Sequence, residues 1–177
     1  MKFTFTTAAL VVLASTASFT AAISNGQANV KSSLDIPGPM IDDYPTSYRT
    51  GAGLTADKLG FVRCKSTSFV GFRLFDRFGL KDFSSRYKNE SAWGDATTWD
   101  EAARRSEVRV DDIAVPGCIA QQQTSSANAS AENGHVAWVA RVGDGNVTVE
   151  EYNFAKANRY NKRTVPTETF KYIHIIV

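Results

Sequence analysis

The sequence predicts an α+β fold, with helices ahead of an antiparallel β-sheet. Three observations carry this. Apolar residues recur at three- and four-residue spacings from Ser66 to about Leu80. Past Pro116-Gly117 the pattern changes to short runs rich in β-branched and aromatic residues. Between two such runs, Gly143-Asp144-Gly145-Asn146 has the composition of a tight hairpin turn. Helices grouped before strands favour segregated layers over alternating βαβ units.

Length and composition narrow the options. A chain of 177 residues suits one ordinary domain. With 43% apolar and 21% charged residues it has the balance of a folded protein. Lys and Arg number 20 against 18 Asp and Glu, a net charge of +2 that excludes a protein built around nucleic acid. Two cysteines alone cannot close a zinc site, and with only two histidines a four-ligand metal cage is not expected; nothing in the sequence indicates a metal or an organic cofactor.

Residues 1–22 read as a secretory signal peptide. Met1-Lys2 is a basic start, Ala8 to Ala14 an apolar core, and Thr20-Ala21-Ala22 a small-residue cleavage region. The apolar run is well short of the roughly 20 residues of a bilayer span. A secreted protein, free of the membrane after cleavage and monomeric, is therefore expected. Residues 23–41, with Pro37-Gly38-Pro39, read as a flexible arm, and the folded domain as 42–177.

Export changes the meaning of other residues. Outside the cytosol an even cysteine count suggests a disulfide. A Cys64–Cys118 bridge would close a loop of about 55 residues and stabilise by roughly 4 kcal/mol. Three sequons, at Asn89, Asn128 and Asn146, become glycosylation sites if the source is eukaryotic.

In the folded part, Ser66, Thr67 and Ser68 are good N-cap residues for the first helix and Gly79 suits its end. A shorter helix is expected from about Thr98 to Ser106, closed by Arg104-Arg105. Strands are expected at 118–121, 135–142, 147–153 and 171–177, with a polar loop over 122–133.

His174 lies in an apolar strand run and reads as a half-buried structural histidine. His135 follows Gly134 at a strand start beside a polar loop, where a general base can meet substrate. Across the hairpin, Glu151 and Asn153 would share one strand face, and either could orient the His135 imidazole. An exposed acidic strand edge is the plainer alternative. The helix N-terminus at Ser66 is the best place for a nucleophile.

These residues resemble a known family. Gly60 to Leu74, containing Ser66-Thr67-Ser68-Phe69-Val70, resembles the Cys-Thr-Ser-Phe-Val signature of the CHAP domain, a cysteine- and histidine-dependent amidohydrolase/peptidase. Asp42-Asp43-Tyr44-Pro45, Trp93-Gly94-Asp95-Ala96, Pro116 to Gln121, Gly134-His135-Val136-Ala137-Trp138, Glu151-Tyr152-Asn153-Phe154 and Tyr172 to Ile175 follow in the family's order. The resemblance implies a papain-like fold acting on peptidoglycan or a peptide, as an N-acetylmuramoyl-L-alanine amidase or an endopeptidase. It assigns the base to His135 and the orienting acid to Glu151, with Asn153 assisting.

The family's cysteine falls on Ser66. Three readings follow: Ser66 has replaced the nucleophile and activity is lost, Ser66 is a serine nucleophile, or Cys64 serves instead. Loss is favoured, because a hydroxyl ionises far less readily than a thiol. That leaves two function classes, a cell-wall hydrolase and a non-catalytic binding module.

Overall fold

The first helix is built by the sequence around Ser66. The computed structural model describes residues 38–50, 55–81, 83, 93–123 and 132–175. The expected signal peptide, the first part of the expected arm, and Asn89 and Asn128 lie outside these residues. Helix α1 spans Ser66–Phe78 and α2 spans Trp99–Arg105, entered through a 3-10 turn at Ala96–Thr98. Strands are β1 (Val110–Asp111), β2 (Ile119–Gln122), β3 (His135–Gly143), β4 (Asn146–Tyr152), β5 (Tyr160–Pro166) and β6 (Lys171–Ile173).

The N-terminal end of α1 differs from expectation. The cap is the extended Lys65, and Ser66, Thr67 and Ser68 are the first helical residues, with no side-chain cap. The Ser68 hydroxyl is committed elsewhere: it donates to Asp57 Oδ2 at 2.5 Å and contacts the Tyr44 hydroxyl at 2.6 Å. Asp57 Oδ1 in turn accepts the backbone N–H groups of Leu59 and Phe61. This buried network fixes the loop leading into α1. The far end closes as expected on Gly79, whose φ of 70° lets Leu80 N–H reach Leu74 O.

The sheet is antiparallel throughout, in the order β1-β6-β2-β3-β4-β5. The β3–β4 hairpin turns at Asp144-Gly145, both left-handed (φ 52° and 72°), as a two-residue type I′ turn requires. The side-chain amide of Asn146, the remaining sequon residue, donates to Asp144 O at this turn. Strand alternation then sorts the core. Ile119, Val136, Trp138, Tyr152 and Ile173 pack with α1 and α2 on one face, and Ala120, Ala137, Val139, Val147, Val149 and Tyr172 form a second cluster.

That sorting corrects the expected disulfide. Both cysteines are free and buried. Cys64 belongs to the helical-side cluster and Cys118 to the other, so the sheet stands between them. Cys64 Sγ donates to Tyr48 O, and Cys118 Sγ accepts Val115 N–H. Burial pushes both thiols up, Cys118 to about 12, so neither forms a thiolate readily near neutral pH. The native protein should therefore show two thiols that react with a disulfide reagent only slowly until denaturant is added. A reagent count of zero after denaturation without reductant would restore the bridge.

His174 behaves as the sequence suggested. Its Nε2 lies 2.9 Å from Asp111 Oδ1, pinning the end of β6 beside β1. Burial acts to raise the Asp111 carboxyl, but the Ile113 N–H, His174 and Arg109 outweigh it and hold it down at about 2. A depressed carboxyl stabilises the fold above its unfolded value, 3.8, and loses that contribution as pH falls through the folded value. Between about pH 4 and pH 2 the melting temperature should fall more steeply for the natural protein than for Asp111→Asn. Parallel acid limbs would rule this pair out as a source of acid sensitivity.

Candidate active site

His135 opens β3 and is 3% exposed. Its place depends on Gly134, at φ 67°. A Cβ there would lie 2.7 Å from Gln123 O and 2.9 Å from Thr97 Cγ2, so only glycine allows the strand to start against that turn. Trp138, on the same strand, is fully buried and anchors it.

Glu151 meets His135 from β4. His135 Nε2 lies 3.0 Å from Glu151 Oε2. A carboxylate only accepts, so Nε2 donates, and the nitrogen left to bear a lone pair is Nδ1. Nδ1 is buried and has no partner among the described residues. Glu151 is wholly buried, and such a charge must be paired. Asn161 Nδ2 donates to Oε1 at 2.7 Å, and Arg163 Nε lies 3.0 Å from Oε1 and 3.2 Å from Oε2.

Phe154 completes the enclosure. Its ring lies 4.8 Å from the His135 ring, and the Arg163 guanidinium sits 3.9 Å over it. Phe170 is 5.2 Å from the same guanidinium. The imidazole, the carboxylate and the guanidinium thus form one stack walled by aromatic rings.

Asn161 and Arg163 were not among the residues singled out from sequence, because β5 itself was not expected. The signal exists: in Tyr160-Asn-Lys-Arg-Thr-Val, alternation puts Asn161 and Arg163 on one face, and Glu151 pairs directly with Asn161. Asn153 takes a different place from the one expected. β4 ends at Tyr152, and Asn153 turns the chain at φ 61°. Its Oδ1 accepts Asn158 N–H at 2.9 Å, closing the loop that presents Phe154.

Ser66 is the first residue of α1, a helix that packs on β3 and β4. It is 9% exposed, and its hydroxyl makes no hydrogen bond among the described residues. Cys64 lies off the helix at φ 63° and is 1% exposed, with its thiol directed to Tyr48 O.

Comparison with known proteins gives this arrangement a family. The CHAP domain model matches residues 58–153. The chain belongs to the CHAP family. The match contains Ser66, His135, Glu151 and Asn153 and stops before Asn161 and Arg163. The N-acetylmuramoyl-L-alanine amidase sle1 of Staphylococcus haemolyticus is 37% identical over 87 residues, 46% of this chain and 25% of that protein. The crystal structure of N-acetylmuramoyl-L-alanine amidase from Staphylococcus aureus superposes with a TM-score of 0.55 at 22% identity. It covers 75% of this chain and 37% of its own, and shows a shared fold. This CHAP chain therefore spans well under half of each relative.

Proposed function

We propose that this CHAP chain is a secreted peptidoglycan hydrolase of the N-acetylmuramoyl-L-alanine amidase or endopeptidase class, with Ser66 in the nucleophile's place. The observation that carries this is the His135–Glu151 pair, 3.0 Å apart, buried and held by Arg163 and Asn161. A binding module has no need of a buried imidazole held by a carboxylate with its Nδ1 unpartnered.

In this reading the Ser66 hydroxyl attacks the amide carbonyl while His135 Nδ1 takes its proton. Glu151 stabilises the imidazolium through Nε2, and the N-terminus of α1 favours the oxyanion. The imidazolium then protonates the leaving amine, and water releases the acyl group by the reverse proton path. A hydroxyl at this position makes the first step slow, because the arrangement supplies no standing anion.

The specific observation behind a second reading is this same hydroxyl: a groove that has lost its thiol can keep a wall-binding role. End-group analysis separates the two. Incubation with purified cell wall should produce new amino termini slowly, with no new glycan reducing ends. Firm pelleting with the wall and no new amino termini would support binding alone.

A further inference from the structure

The structure also holds an open cavity of about 330 Å³ that the His135–Glu151 pair does not use. Asp42, Arg49, Tyr152, Asn158, Arg159 and Tyr160 line it. Most polar groups on its walls are already committed. Arg49 is closed onto Asp42, with N–O distances of 2.7 and 2.9 Å, and onto Tyr44 O. The Tyr152 hydroxyl donates to Asn158 O and the Tyr160 hydroxyl to Glu150. Arg159 is different. It is exposed, and its guanidinium has no partner among the described residues. The cavity thus presents one uncompensated positive charge.

Its walls are tied to the elements that carry the candidate active site. Tyr48 O, one residue before Arg49, accepts both the N–H and the thiol of Cys64, two residues before Ser66. Arg159 O accepts the N–H of Asn153, two residues after Glu151. Tyr152, in the lining itself, directly follows Glu151 on β4.

We propose that this cavity is a subsite for the carboxylate of an acidic peptide, with Arg159 as the residue that selects it. The proposal rests on the reading of the chain as an amide hydrolase, since that reading gives the chain a peptide to bind. A guanidinium matches a carboxylate with two parallel N–H···O bonds, and a cavity of this size holds one or two peptide residues. Asp42 on the same wall disfavours a dianion, so a carboxylate suits the cavity better than a phosphate.

The test is calorimetric titration of the full chain with the tripeptide Ala-Glu-Lys and with its fully amidated counterpart Ala-Gln-Lys-amide. The acidic peptide should bind at least about fivefold more tightly, as expected for one charge-assisted pair. Arg159→Gln should erase that preference and Arg159→Lys should retain part of it, both with unchanged melting temperature because Arg159 is exposed. Equal affinity for the two peptides, an undiminished preference in Arg159→Gln, or no binding of either at millimolar concentration would overturn the subsite. Binding needs no turnover, so the result is independent of cell-wall cleavage. A peptide preference without any wall cleavage by Ser66→Cys would leave the subsite standing and remove the hydrolase reading.

Discussion

Replacing Ser66 by cysteine should raise the release of soluble fragments from purified cell wall by about a hundredfold or more, the scale on which one activated nucleophile and its base act. The proposed reading assigns the other parts to residues already present. His135 has a free Nδ1, Glu151 holds Nε2 at 3.0 Å, and Ser66 is the first residue of α1. A thiol at a helix N-terminus beside an imidazole ionises far more readily than a hydroxyl. Adding His135→Ala to Ser66→Cys should return release to background, because the same ring must later protonate the leaving amine. Strong activity in the natural protein that disappears in Ser66→Ala would instead establish a serine nucleophile. If Ser66→Cys gains nothing while remaining folded, the binding reading replaces the hydrolase reading.

The second large effect concerns stability. Arg73 is wholly buried in α1, where it bridges Glu150 at 2.7 Å and Asp43, and donates to Ile41 O. Its guanidinium also lies 4.8 Å over the Phe69 ring. Burial lifts the Glu150 carboxyl above its usual range, with the Arg73 charge opposing. Arg73→Met would leave Glu150 buried without its cation, at a cost of about 3–5 kcal/mol. For a domain of this size that corresponds to a melting temperature lower by roughly 10–15 °C. The double variant Arg73→Met/Glu150→Leu should recover most of the loss, since an apolar pair of similar volume needs no charge compensation. A single variant that melts within about 2 °C of the natural protein would show that the ion pair contributes little.

Much of the helical half was legible because its signals are local. The spacing of Phe69, Val70 and Leu74, and Gly79 at the end, are features of consecutive residues. The β3–β4 hairpin was legible for the same reason, through Asp144-Gly145. What escaped depends on distant partners. Arg73 sits among apolar residues in sequence and reads as an exception; only Glu150, 77 positions away, explains its burial. Ser68 looks like a cap until Asp57 and Tyr44 claim its hydroxyl. β5 is a polar edge strand with no buried residue, so its pattern is weak, yet it brings Arg163 to Glu151. The cysteines illustrate the opposite error. An even count suggests a bond, but it carries no information about which sheet face each residue occupies.

The segment gripped by Arg73 extends the meaning of the family boundary. Arg49, Arg73 and Arg77 together hold residues 39–43, through Asp42, Asp43, Ile41 O and Pro39 O. Tyr44, next along, packs on Phe69 and Tyr152 and reaches Ser68. All of this lies upstream of residue 58, where the family match begins. A piece cut at that boundary for transplantation into a chimaera would carry Arg73 and Arg77 without their shared partner Asp43, and an open hole over Phe69. The portable unit is longer than the recognisable one, and a fusion joint belongs before Gly38, whose missing side chain leaves room for Arg77.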